Sequence, residues 1–398
     1  MNLYQIGEPP ARAGRGFALW ALGFRPFYLG GSLFGMAAML AWLAELDGHP
    51  LPRLHPYLPG ALWHAHEMIF GFAAAIVAGF LLTAVRAWTS VTPAQGRSLA
   101  ALWLLWLAGR AAVGYAPPAV AIIVDVAFLP VCALVLLRVL VHAKNRHNIF
   151  LPVALGLLAL TNIVFHLAAI MGRPDWALHS AYVAVGLLVL FVTVIGGRII
   201  PSFTVNAVPG FTYRRWRFVE AAVLPLTALA FVLDGFGAPG PVLAIAAALA
   251  ACAQGLRLYG WRSWRVGNRP ILAILHVAYA WIPLGFAMLS LAAMGFVAHS
   301  LAIHAFTVGA VGCAIVAMIT RTARGHTGRP LVAGRAELAS YGLLVLAALM
   351  RVLVPVLWPQ QTLVAIDVSG ACWVVAFVVY CGRYAGWLWS PRLDGKEG

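Results

Sequence analysis

The sequence predicts an all-α, polytopic membrane bundle of twelve spans with both termini in the cytoplasm, and three observations carry that expectation. The 398 residues are 63% hydrophobic and only 10% charged, with a mean hydropathy of +0.89. Soluble domains run roughly 45–50% apolar and about 25% charged, so a water-soluble fold would have no core large enough for this much apolar surface. The chain is also divided into apolar runs of the roughly 20 residues that a bilayer core demands, and its basic residues fall in alternate connections between those runs.

In chain order the runs lie at approximately 18–45, 62–85, 98–115, 118–141, 149–171, 177–197, 218–236, 239–258, 270–294, 298–320, 336–357 and 361–388. Each must be helical, because lipid offers no partner to an unpaired backbone amide. The first follows a polar segment, Met1 to Gly16, that contains Glu8, Arg12 and Arg15. It continues too long for a cleaved leader and is expected to stay in the mature protein. The second opens on His64, His66 and Glu67 and contains Gly71, Ala74, Ala75, Ala78 and Gly79; the fourth holds Asp125, and the fifth Asn162 and His166. The sixth begins with His179 and Tyr182, and the tenth with His299 and His304 ahead of Ala305, Gly309, Ala310, Gly312 and Ala314. Pro225, Pro283 and Pro355 interrupt the seventh, ninth and eleventh, and the twelfth holds Asp367. No stretch is left over for a soluble domain, so residues 1–398 read as a single integral membrane domain.

Orientation follows from the Lys/Arg bias of short loops. One side collects, among others, Arg86, Arg97, Lys144, Arg146, Arg198, Arg214, Arg215, Arg217, Arg257, Arg262, Arg321, Arg329, Arg335 and Arg383, whereas the other shows only Arg53 and Arg173. This bias also accounts for the net charge of +15 and the pI near 10.3, so no nucleic acid is needed as a partner. The five Cys lie in apolar stretches without a Cys-x-x-Cys pair, which makes buried thiols the plain reading and iron–sulfur or structural zinc a poor one.

Histidine carries the chemical signal. His64, His66, His166, His179, His299 and His304 all fall in the outer half of the membrane, while His142, His147, His276 and His326 lie near the cytoplasmic side and His49 and His55 in the first outer loop. Ionisable groups inside a membrane are costly and face the protein interior. Imidazole suits haem iron, copper and zinc, and the scarcity of carboxylates argues against Mg or Ca. One such His would ordinarily be a hydrogen-bonded structural residue; six at one depth, with Glu67 beside them, point to metal.

Residues two apart on an α-helix differ by about 200° in azimuth, so His64 and His66 are expected to serve two centres. His299 and His304 differ by about 140°. Asn162, one turn before His166, is placed to orient that imidazole. Asp125 reads as a structural hydrogen bond at least as well as a proton carrier. The small residues of spans 2 and 10 suit a flat macrocycle, and equally suit close helix packing. Spans 2, 6 and 10 start with outer His four spans apart, which suggests three pseudo-repeats of four helices.

At the cytoplasmic edge stand Phe24-Arg25-Pro26-Phe27, Gly196 to Asn206 with Arg198, and Arg321 to Arg329 with His326. Arg198 and Arg321 are candidates for holding a haem propionate or another anion, against the plain reading of membrane-edge anchors. His276 and His326 are further candidate ligands on that side.

The runs Trp63-His64-Ala65-His66-Glu67-Met68-Ile69-Phe70-Gly71-Phe72, Gly196-Gly197-Arg198-Ile199-Ile200-Pro201, His304-Ala305-Phe306-Thr307-Val308-Gly309-Ala310 and Gly325-His326-Thr327-Gly328-Arg329 resemble the bacterial NnrS family over nearly the whole chain. That resemblance implies a haem- and copper-containing protein of the bacterial inner membrane linked to nitric oxide and nitrosative stress. It implies b-type haem, copper, and a quinol or a periplasmic cytochrome or cupredoxin as electron donor. Twelve spans with outer His on spans 2, 6 and 10 are more loosely similar to haem–copper oxidases and their NO-reductase relatives. This sequence departs from them, since span 7 has no His and the His-x-His pair is on span 2 instead of span 10.

The function these readings imply is redox handling of nitric oxide, with reduction to nitrous oxide as the leading reaction. Six outer His would serve a low-spin haem with two, a reactive haem with one and a copper with three. Glu67 is the candidate proton relay and Tyr182 a second donor, although an outer-belt Tyr also serves as an interface anchor. The alternative is a non-catalytic haem or copper transporter, or an NO-binding sensor; an assembly factor is a third reading.

Overall fold

The computed structural model describes residues 16–49 and 57–396. Arg12, Arg15, Arg53 and His55 lie outside the described residues. Twelve helices among the described residues are long and apolar enough to cross a membrane: α1 (Phe24–Leu46), α2 (Gly60–Thr89), α3 (Arg97–Tyr115), α4 (Pro118–His142), α5 (Arg146–Ile170), α6 (Pro174–Ala207), α7 (Arg217–Gly235), α8 (Gly240–Gly260), α9 (Pro270–Ala293), α10 (His299–His326), α11 (Arg335–Leu357) and α12 (Pro359–Trp389). The chain is therefore built as a multi-pass membrane protein.

Local chemistry sets the helix boundaries. Pro stands in the first turn of α4, α6, α8 and α9, where its missing N–H costs nothing and its fixed φ is already helical. Gly172 and Gly295 follow α5 and α9 with φ of +68° and +80°, the left-handed conformation that reverses the chain cheaply only at glycine. Helices α6 and α10 outlast the apolar runs that announce them: α6 continues through Pro201 to Ala207, and α10 to His326. The segments around Arg198 and Arg321 are thus helical turns at the membrane edge.

Successive spans pack as neighbours, and α1 packs against α12, which closes the ring. Arg25 makes that closure specific. Its buried guanidinium donates through Nη1 to the carbonyls of Leu388 at 2.8 Å and Ser390 at 2.7 Å, meeting unpaired acceptors at the C-terminal end of α12.

The most enclosed spans are α2 and α10, and α6 touches both, so the three His-bearing spans meet at the centre. Two of them share a further feature. Each changes from α to π geometry directly after a histidine, over Glu67–Ala73 following His66 and over Ala305–Gly312 following His304. α6 carries no such segment. A π turn widens the helix and re-aims its side chains, and such turns gather at functional sites.

Candidate metal centre

The six outer histidines sort into three pairs. The first is the most buried and unites α2, α3, α4 and α5. His66 and His166 are fully buried, and their Nε2 atoms lie 3.2 Å apart. Asp125 Oδ2 is 2.9 Å from His166 Nε2 and 3.2 Å from His66 Nε2, and Asn162 Oδ1 is 3.0 Å from His66 Nε2. His66, Asp125 and His166 form the one group of three potential ligands that could hold a metal ion among the described residues.

Surrounding partners fix what these atoms can offer. Glu67 Oε1 is 2.9 Å from His66 Nδ1, and since a carboxylate only accepts, His66 must place its proton on Nδ1. This leaves the lone pair of Nε2 facing inward. Asn162 donates through Nδ2 to Asp125 Oδ2 at 2.7 Å, which turns its carbonyl oxygen toward His66. Tyr57 OH lies 3.1 Å from His166 Nδ1. Two ring nitrogens, a carboxylate oxygen and an amide oxygen thus converge, and a proton on His166 Nε2 would be one donor facing three acceptors, which it does not satisfy. A cation would.

Charge bookkeeping agrees. Arg110 donates to Glu67 Oε2 at 2.8 Å through Nη1 and pairs with Asp125 through Nη2. One buried guanidinium between two buried carboxylates leaves one uncompensated negative charge, in a place where an unpaired charge is expensive. The donor set of two imidazoles and one carboxylate, with an amide oxygen alongside, suits copper(II), iron(II) or zinc and leaves coordination positions for a small ligand.

Glycine makes this geometry possible. A Cβ at Gly71 would lie 2.6 Å from the Phe34 ring, 2.9 Å from Arg110 Nη1 and 3.0 Å from Glu67 Oε2. One at Gly109 would sit 3.1 Å from Asp125 Oδ1. The π segment's Gly71 carbonyl accepts from Trp106 Nε1 at 2.8 Å, which ties α2 to α3. Other small residues of the two central spans are filled by neighbours, Gly79 by Phe27, Gly309 by Trp281 and Gly312 by Trp373. At these positions close packing is what they serve.

The second pair is His64 with His304. His64 stacks on Trp42, centroids 4.8 Å apart and planes at 22°, and its buried Nδ1 has no hydrogen-bond partner. His304 donates through Nδ1 to the carbonyl of Ser300 at 2.6 Å, so its Nε2 keeps a lone pair. The two rings lie within electrostatic reach of each other and of Arg351 on α11. The third pair is His179 with His299, joined through Tyr182, whose ring is 6.0 Å from His179 and 4.7 Å from His299. His299 Nε2 meets Asp234 Oδ1 at 2.7 Å. His64 and His66 therefore serve separate groups, as do His299 and His304.

The remaining candidates stand apart. Both nitrogens of His276 face hydroxyls, Thr204 at 3.1 Å and Ser263 at 2.8 Å. His326 packs on Phe24, 5.5 Å between centroids. Arg198 donates to Asn148 Oδ1 at 3.2 Å, and Arg321 lies over the Phe203 ring at 3.9 Å. Tyr182 belongs to the third pair and is not with Glu67. Asp125, as a third potential ligand, and Arg110, as its ion-pair partner, are the participants that the sequence analysis did not assign to the site. Their signal was present: opposite intramembrane charges equally far from the Pro117-Pro118 turn of one helical hairpin meet at the same depth.

None of the curated proteins matches this chain. The family model described as NnrS protein matches residues 18–392, nearly its whole length. The chain belongs to the NnrS family.

Proposed function

We propose that this protein is a haem- and copper-containing redox protein of the bacterial inner membrane that acts on nitric oxide, reducing it to nitrous oxide or otherwise relieving nitrosative stress. The observation that carries the reading is the convergence of His66 Nε2, His166 Nε2, Asp125 Oδ2 and Asn162 Oδ1 on one buried point with a surplus negative charge. Family membership supports the link to nitric oxide.

His66, His166 and Asp125 would hold copper. His64 and His304 would hold haem, where the orphaned Nδ1 of His64 suits an iron ligand and Arg351 a propionate. When bound, these groups supply a place for NO and a store for electrons. The protein's own residues do the rest. Glu67 holds the His66 ring in one tautomer, and Arg110 pairs with both Glu67 and Asp125. Tyr57, between the first outer loop and the centre, is placed to pass protons to His166 Nδ1.

Reduction of two NO to one nitrous oxide and one water consumes two electrons and two protons. The electrons would come from a quinol or a periplasmic cytochrome or cupredoxin, with membrane lipid as the only other partner and no nucleic acid. Enclosure favours a resident metal over a transported one, since His66, Glu67, Asp125, Asn162 and His166 are each at most 2% exposed.

The test is a reduced-minus-oxidised spectrum with metal analysis of the purified full-length protein, repeated after adding NO with an electron donor. Haem and copper bands that shift with NO, together with one nitrous oxide formed per two NO consumed, are expected. Full haem and copper retention in all six outer His→Ala variants would end the reading.

A further inference from the structure

Away from the histidines, on the arginine-rich side, the ends of α6, α9 and α10 and the loop after α10 enclose a cavity of about 450 Å³. That is within the roughly 300–1,000 Å³ of small-molecule sites. Its polar lining is Arg269, Arg321 and Asn268, and its apolar lining includes Ala207, Leu331 and Val332.

Several arginines on this side are compensated: Arg257 by Glu220, Arg324 by Glu337, Arg392 by Asp394, and Arg25 by backbone carbonyls. Arg269 and Arg321 have no carboxylate partner among the described residues. Arg321 sits over the Phe203 ring with Cζ 3.9 Å from its centroid, and a guanidinium held on an aromatic face keeps N–H groups for an acceptor. Arginines that merely orient a membrane protein need only reach water; these two share a concave site with apolar walls.

Two forked donors call for an anion with several oxygens, and phosphate matches guanidinium geometry. Leu331, Val332 and Ala207 add apolar surface beside it, so the ligand carries hydrocarbon next to its phosphate. The charge bias puts this edge in the cytoplasmic leaflet, where anionic lipid is concentrated and basic pockets between helices take headgroups. We propose that the Arg269–Arg321 cavity binds the phosphate headgroup of an anionic phospholipid of that leaflet.

The test uses the full-length protein reconstituted in phosphatidylcholine nanodiscs containing a minority of phosphatidylglycerol, then extracted and weighed by native mass spectrometry. Wild type and the double variant Arg214→Gln/Arg217→Gln, which alters exposed arginines on the same side, are expected to retain phosphatidylglycerol. Arg269→Gln/Arg321→Gln is expected to retain at least about tenfold less, the scale of one lost charge-assisted hydrogen bond. Equal retention by the two double variants, or no preference for phosphatidylglycerol in the wild type, overturns the proposal. So does displacement of the lipid by millimolar inorganic phosphate with an equal thermal shift in lipid-free detergent, which would make this a free-anion site. If the double variant does not fold, Arg269→Gln alone, at an exposed residue, is expected to lower retention, and unchanged retention there also overturns the proposal.

Discussion

The Nε2 atoms of His66 and His166 stand 3.2 Å apart although the residues belong to α2 and α5. The Nδ1 proton of His66 is committed to Glu67, so at least one of the two facing nitrogens offers a lone pair. Asp125 and Asn162 add two more acceptors from α4 and α5. Three spans are thereby organised around a point that wants positive charge.

Ligand removal is the first consequence. His66→Ala and His166→Ala are each expected to lose the metal of this centre, measured as copper and iron per chain in purified protein. Glu67→Gln removes the charge behind His66 and the ion pair with Arg110, and affinity should fall by about 10–100-fold, as for other groups that orient a ligating imidazole. Equal metal content in His66→Ala and wild type would place the ion elsewhere.

Arg110 holds two buried carboxylates at once. Arg110→Leu leaves both uncompensated and is expected to cost roughly 3–5 kcal/mol, read from the unfolding midpoint in detergent. The triple variant Arg110→Leu/Glu67→Gln/Asp125→Asn removes the charges together and should recover most of that loss. A single variant as stable as the wild type would show that the network carries no such strain.

How much of this was legible in the sequence depends on the range over which each feature is written. The spans are local: about 20 apolar residues suffice to specify one, and the opposite azimuths of His64 and His66 follow from two positions on one helix. Asp125 was not legible as a ligand because its role is set by His66 and His166 on other helices. Seen alone, a lone carboxylate in a span is equally well a structural hydrogen bond. The π segments after His66 and His304 were hidden for a related reason: nothing in Glu67–Ala73 or Ala305–Gly312 forbids an α-helix, and the helices they pack against, α1, α6, α9 and α11, are distant in sequence or unspecified by it. The small residues were visible from the start, but whether Gly309 faced a macrocycle or Trp281 depended on what α9 presented there.

Gly71 tests that packing. Its substitution by Ala would push on Phe34, Arg110 and Glu67 together, with an expected cost of about 1–3 kcal/mol and a fall in metal content as Arg110 is displaced from Glu67. Gly114→Ala on α3 meets nothing within 4 Å and should be neutral or stabilising by up to about 1 kcal/mol. Equal thermal midpoints and equal metal content for the two variants would remove the role assigned to Gly71.

The sorting of the histidines into pairs makes a sharper claim than a count of six ligands. If His64 with His304 and His66 with His166 hold different metals, then His64→Ala and His304→Ala should abolish the haem bands of the reduced-minus-oxidised spectrum while leaving the copper content intact. His66→Ala and His166→Ala should do the reverse. His179→Ala and His299→Ala should spare both, because His299 is already engaged by Asp234 at 2.7 Å and His179 reaches it only through the ring of Tyr182. The separation has a physical basis, since the rings of His64 and His66 leave α2 on different sides, one stacked on Trp42 of α1 and the other facing α4 and α5. Loss of haem and copper together in all four ligand variants would mean a single coupled centre, and the division of α2 between two sites would fail.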